Sequence, residues 1–142
     1  MSTQNYKNHS RILLSYHGLT FLPLLALLIG SIMNLVNSDE SNDYSAALLV
    51  LVSVILISIF FHARIFALKA QDRAIRAEEN LRHLVLTGKL LDRRLNIHQV
   101  IALRFASDEE FPSLAQKAAD GNLSSKEIKK QVVKWKGDHH RV

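Results

Sequence analysis

The sequence predicts an all-α membrane protein: a two-span helical hairpin whose second helix extends far into the cytoplasm and ends in a small C-terminal helical cap. Three observations predict it. Two runs, Ile12 to Ser38 and Tyr44 to Ala63, contain no Asp, Glu, Lys or Arg. Each can cross a hydrocarbon core about 30 Å thick, which takes roughly 20 helical residues. The charges are asymmetric. Lys7 and Arg11 precede the first run, Asp39, Glu40 and Asp43 lie between the runs, and the rest of the 18 Lys and Arg follow His62. Basic flanks around an acidic loop put both termini in the cytoplasm. Finally, no Gly or Pro interrupts the chain from Ala63 until Gly88, so the second helix continues past the bilayer.

The expected organisation is a cytoplasmic segment over 1–11, a first span over 12–37, a short external acidic loop over 38–43 and a second span over 44–63. A cytoplasmic extension over 64–95 and a helical cap over 96–142 complete it. Of the 142 residues, 48% are hydrophobic, and roughly 45 residues belong in the membrane. The remainder allows one small helical unit and no large core. The sequence has no cysteine, which excludes disulfides, thiolate catalysis and cysteine metal sites. The first run is too long for a secretory signal and lacks a cleavage site followed by a soluble domain. The net charge of +5 is assigned to anionic lipid, which attracts each nearby basic residue by about 1 kcal/mol. Nucleic acid is the less favoured partner.

In the first span, Tyr16 and His17 suit the headgroup level. Pro23 lies in the first turns, either as a kink or near the helix start. Ala26, Gly30 and Asn34 recur at four-residue spacing, a small-residue face that lets another helix approach. The polar turn from Asn37 to Asp43 is too short to fold alone, so the spans must be antiparallel neighbours. In the second span, Ser53 and Ser58 are expected to bond to their own helix backbone. His62 is read as an ordinary interfacial side chain.

Past the second span, Ala63, Ala67, Ala70, Ala74, Ala77, Leu81, Leu84, Gly88, Leu91 and Leu95 are spaced alternately four and three apart. This is a heptad seam, and it extends back through Phe60, Leu56 and Ser53. The reading is one helix from about Tyr44 to about Thr87, on the order of 65 Å long at 1.5 Å per residue. Arg64 lies at the interface, and Lys69, Arg73 and Arg76 lie opposite the seam. These four are assigned to lipid headgroups. Ile65, Leu68, Ile75 and Leu86 form a second, thinner apolar stripe, and a helix apolar on two sides packs on two sides.

Beyond Gly88, Asn96 is the expected cap of a helix over Ile97 to Phe105. Ser107 to Glu110 has the form of a capping box, with Pro112 as an alternative mark of the first turn. That helix is expected to run to Ala119 and stop at Gly121 or Asn122. Ser124 and Glu127 make a second capping box, with Leu123 and Ile128 as its staple. The last helix is expected to turn Ile128, Val132, Val133 and Trp135 inward and its lysines outward.

No motif specifies chemistry. Asp108, Glu109 and Glu110 fit a helix start better than a metal or catalytic site. His139 and His140 lack a third ligand nearby, and the histidines show no zinc spacing. No phosphate-binding glycine motif occurs. No cofactor and no metal are expected.

The stretches Leu86 to Leu95, Ile101 to Pro112 and Leu123 to Lys130 with Trp135, together with the start from Gln4 to His9, resemble a bacterial family of small two-span inner-membrane proteins of unknown function. The resemblance covers nearly the whole chain. It implies the bacterial inner membrane as location and brings no activity and no functional residue. The expected role is a non-enzymatic assembly or accessory protein: a homo-oligomer, or a small subunit of a larger membrane complex. The alternatives are a pore or transport component and a membrane-tethered adaptor for a soluble partner or nucleic acid.

Overall fold

A computed structural model describes residue 6 and residues 14–137, the Ser15 side chain excepted. The basic N-terminal flank with Lys7 and Arg11, the first residues of the predicted first span, and His139 and His140 lie outside the described residues. Among the described residues the protein is all-helical. A π-helical turn, Ser15–Thr20, leads into α1 (Phe21–Val36), followed by α2 (Asp43–Thr87), α3 (Ile97–Leu103), α4 (Phe111–Asp120) and α5 (Ser125–Gln131). α1 with its leading turn, and α2, are both long and apolar enough to cross a membrane. The chain divides into two compact units, Arg11–Phe66 and one built on Ala67–Val142.

The first unit is a helical hairpin. The π-turn lies just upstream of Pro23, whose ring lacks an N–H and crowds the preceding turn; a locally widened helix accommodates both. The hairpin turn is closed by Asn42 and Asp43 amides donating to the Asp39 carbonyl at 2.8 and 3.1 Å. The Asn37 side chain donates to the Met33 carbonyl at the α1 end, and the Ser38 hydroxyl donates to the Asp43 carboxylate. Asp43 opens α2, where its charge favours the helix dipole.

Small side chains set the approach of the two helices. Ser31, Ala46 and Ser53 are buried, and the Ser31 and Ser53 hydroxyls meet at 3.2 Å. Each hydroxyl also reaches a carbonyl of its own helix, Leu28 for Ser31 and Val50 for Ser53, so one of the two protons is shared between a carbonyl and the other hydroxyl. Back-bonding of Ser53 was expected; its pairing across the hairpin was not. Leu24, Leu28, Ser31 and Leu35 on α1, and Ala46, Val50, Ser53, Ile57 and Phe60 on α2, are among the covered positions. Their alternate spacing is that of a short coiled-coil seam. The expected seam residue Leu56 is exposed, and Ile57 is the half-buried residue in its place. Away from the turn, the Tyr16 ring stacks on Phe60 at 4.0 Å and its hydroxyl donates to the Phe60 carbonyl at 2.9 Å.

In the second unit, α2 stops at Thr87 because Gly88 takes φ +73°, the left-handed conformation that ends a helix at low cost only for glycine. Leu91 and Leu95 therefore leave the heptad seam and join the core of the cap. With Val100, Leu103, Phe111, Leu114, Ala118 and Ile128, they form one buried cluster, with Leu123 and Trp135 packed against it. α3 and α5 each open with a complete capping box, Asn96 with Gln99 and Ser124 with Glu127. α4 opens with Pro112 in its first turn. The Ser107 box is half-formed: its amide donates to Glu110 Oε1 at 3.2 Å, but the buried Ser107 hydroxyl has no partner, because the helix begins only at Phe111. α4 ends at Gly121 as its cap, with Asn122 at positive φ.

Two expectations for the cap are corrected. α3 ends at Leu103, and α5 ends at Gln131 before Trp135 is reached. Ala106 instead pairs with Trp135 in an isolated antiparallel bridge, and the Lys136 amide donates to the Phe105 carbonyl at 2.8 Å. The cause is Glu110, whose carboxylate accepts the Val133 and Lys134 amides at 3.1 and 3.2 Å. Those backbone donors are thus satisfied outside a helix. Val133, expected inward, is 83% exposed.

A Cβ at Gly88 would meet nothing within 4 Å, so a substitution there tests backbone strain alone. Gly88→Ala should cost the cap about 1 kcal/mol, seen as earlier thermal loss of the helical circular-dichroism signal. Gly88→Asn should recover part of it, since asparagine tolerates the left-handed region.

Candidate functional site

Within the second unit, α2 is covered on one side and bare on another. The covered side carries buried Ile75 and Glu79 and half-buried Gln71, Arg82 and His83. Spacings of three and four place these residues on one helical face. Arg82 is the fastening point. Its Nε donates to Asp108 Oδ1 at 2.6 Å, Nη1 to Glu79 Oε2 at 3.0 Å and Nη2 to the Ala106 carbonyl at 2.7 Å. The guanidinium also lies 4.3 Å over the Phe111 ring. A planar, permanently charged fork can satisfy acceptors in three directions and still stack, which lysine cannot do. Two further side chains join α2 to the cap. Arg76 donates to the Leu95 carbonyl at 3.1 Å, and the His83 ring meets Phe111 edge-on.

Charge follows burial at this joint. Burial pushes the Glu79 carboxyl above its ordinary range, while the hydrogen bond and charge of Arg82 oppose the shift and the neighbouring Glu78 adds to it. Asp108, much more exposed, is held low by the Arg82 hydrogen bond and then by its charge. The acidic trio expected to serve the helix start has a partner for each member. Asp108 takes Arg82, Glu109 pairs with Lys134, and Glu110 receives three backbone amides. No cluster of three metal-ligating side chains occurs among the described residues.

The other side of α2 carries the predicted seam. Ala70, Ala74, Ala77, Leu81 and Leu84 are all exposed, with Leu81 at 62%. Ala67 is half-buried, and Ala63, in the hairpin unit, is exposed. Ala26, Gly30 and Asn34 are exposed too; the hairpin seam uses the Ser31 row instead. Of the residues assigned to headgroups, Lys69 and Arg73 are exposed. Arg64 sits 5.3 Å over the Tyr16 ring, and Arg76 is engaged with Leu95. Arg82 and Glu79 had not been singled out from sequence. Their spacing of three on the Ile75 stripe was the available signal, since a charged pair on an apolar stripe is a candidate buried pair.

Arg82→Met should cost about 3 kcal/mol, because it leaves Glu79 buried without its cation. Adding Glu79→Gln should recover part of that loss in a double-mutant cycle read by denaturant unfolding. The pH dependence has a definite sign. Glu79 is raised in the folded state, so its contribution is fully present below its ordinary value of 4.5 and is lost as pH rises through the raised value. Asp108 is lowered, so its contribution is lost as pH falls through the depressed value. As pH rises from 4.5 through that raised value, the parent should therefore lose stability relative to Glu79→Gln.

No curated protein and no solved structure matches the chain. One family model does, and it matches residues 1–142 from end to end. The chain belongs to that family, DUF6526, a family of unknown function.

Proposed function

We propose that this is a two-span protein of the bacterial inner membrane, with both termini cytoplasmic, acting as a non-enzymatic assembly or accessory protein. It works either as a homo-oligomer or as a small subunit of a larger membrane complex. One observation carries the reading: only 6% and 11% of the two apolar windows is buried within the chain. Leaving a large apolar side chain in water rather than burying it costs about 1.5–3 kcal/mol, and many such side chains lie exposed on α1 and on α2 up to Phe66. A lipid bilayer covers such a surface at both helices together. Both helices also satisfy their backbone internally, as a hydrocarbon solvent requires.

Further features support the same placement. The turn end of the hairpin exposes Asp39 and Glu40. The other end gathers Tyr16, Phe21, Phe60 and Phe61 with Arg64 over Tyr16, the aromatic and basic mixture found at headgroup level. Ser31 and Ser53 are engaged with each other, which favours a packing role over a conducting path. The bare alanine–leucine face supports assembly, because a helix exposing leucine outside lipid gains by covering it.

Orientation is tested by single cysteines in this cysteine-free chain. Ser41→Cys in the acidic turn should react with an impermeant thiol reagent in intact cells, and Ser125→Cys should react only after lysis. Labelling at Ser125 in intact cells would reverse the orientation. Release of the protein by alkaline carbonate would remove it from the membrane altogether.

A further inference from the structure

The bare face of α2 has a register. Ala70, Ala77 and Leu84 occupy d positions of a heptad, and Ala74 and Leu81 occupy a positions. The covered residues fall elsewhere: Ile75 and Arg82 at b, Glu79 at f. A helix docking on the a/d face therefore leaves the Arg82 joint undisturbed. In the same register Arg73 is a g residue and Glu78 an e residue. Both are exposed, and neither has an ion pair or hydrogen bond among the described residues.

Those two charges discriminate between occupants. When two such helices run parallel, the g position of one heptad lies beside the e position of the next heptad on the other helix. Arg73 of one copy then faces Glu78 of the other, twice by symmetry. When the helices run antiparallel, g meets g and e meets e, which sets like charges together. We propose that α2 pairs with α2 of a second copy, parallel and in register, through the face from Ala70 to Leu84, with two Arg73–Glu78 ion pairs crossing the seam.

This inference rests on the membrane-assembly reading above for the confinement of the two copies. Two copies inserted in one bilayer with the same orientation present their helices in parallel. Confinement also raises their effective concentration, which offsets the small area of two heptads. The alanines let the backbones approach, and Leu81 and Leu84 supply the apolar area.

The test uses the full-length protein in native membranes, with Ala70→Cys and Leu84→Cys as separate variants under mild oxidation. Both should give disulfide-linked homodimers, because only parallel, in-register helices bring like positions together at two separated points. In each cysteine background, Arg73→Glu or Glu78→Arg alone should lower the crosslinked fraction about three- to fivefold. The two substitutions together should restore it. Unchanged thermal melting of the helical signal shows that a variant still folds. No crosslinking at either cysteine, crosslinking at only one, or failure of the double exchange to restore it would overturn the pairing. So would recovery of the detergent-extracted particle with a different polypeptide and no self-crosslink. Carbonate extraction of the same membranes separates the two readings. A retained protein that does not crosslink refutes the pairing alone. A protein washed into the soluble fraction refutes the membrane reading, and the same crosslinks there still decide the pairing.

Discussion

The backbone of α2 satisfies its own hydrogen bonds from Asp43 to Thr87, and the organisation of the protein follows from what must then cover its side chains. A helix this long has no stable core of its own. Up to Phe66 its side chains are almost all apolar, and α1 covers only the row containing Ala46, Ser53 and Phe60. From Ala67 onward the composition turns charged, and the row containing Ile75, Glu79 and Arg82 is covered, with Arg82 bonded to Asp108 and the Ala106 carbonyl of the cap. Two different physical chemistries are therefore carried by one uninterrupted element.

The two covered rows are fastened by different contacts. In the hairpin, the buried small residues Ser31, Ala46 and Ser53 allow close approach, and the two serine hydroxyls meet across the helices at 3.2 Å. In the second unit, water drives burial of a compact apolar cluster, and a charged joint fixes how α2 meets it. Arg82 combines three hydrogen bonds and an aromatic face on one side chain. Its arrangement with Glu79 specifies one docking geometry, because a shifted cap would strand a buried carboxylate without its cation. The exposed ion pairs, such as Arg94 with Asp92 and Asp120, contribute far less to this specificity because solvent screens them.

The bare alanine–leucine face follows from this fastening. With Arg82 joined to Glu79, Asp108 and the Ala106 carbonyl, the a/d positions from Ala70 to Leu84 stay exposed. Their composition suits contact with another helix: small residues allow approach, and leucines offer area. Arg73 and Glu78 lie exposed on its flanks.

The sequence alone determined what depends on local pattern. Two uncharged runs of sufficient length, a polar turn rich in turn formers, and the lack of Gly or Pro from Ala63 to Thr87 specify the long apolar helices and the continuity of α2. The Asn96 cap and the Ser124 capping box were equally legible, because a cap is a contact within four residues of chain. Tertiary structure decided which faces meet. The choice of the Ser31 row over Ala26, Gly30 and Asn34 depends on the approach of two whole helices, and spacing alone makes both rows plausible. Leu91 and Leu95 fit the heptad count, yet a left-handed Gly88 ends the helix before them, and their burial comes from α3 to α5. Trp135 was read as helical because its apolar neighbours suggested a face. Glu110, more than twenty residues earlier in the chain, instead draws the amides of Val133 and Lys134 and turns the segment into a bridge with Ala106. Arg82 gains its role from Asp108, Ala106 and Phe111, partners distant in sequence that become neighbours only once the cap is folded.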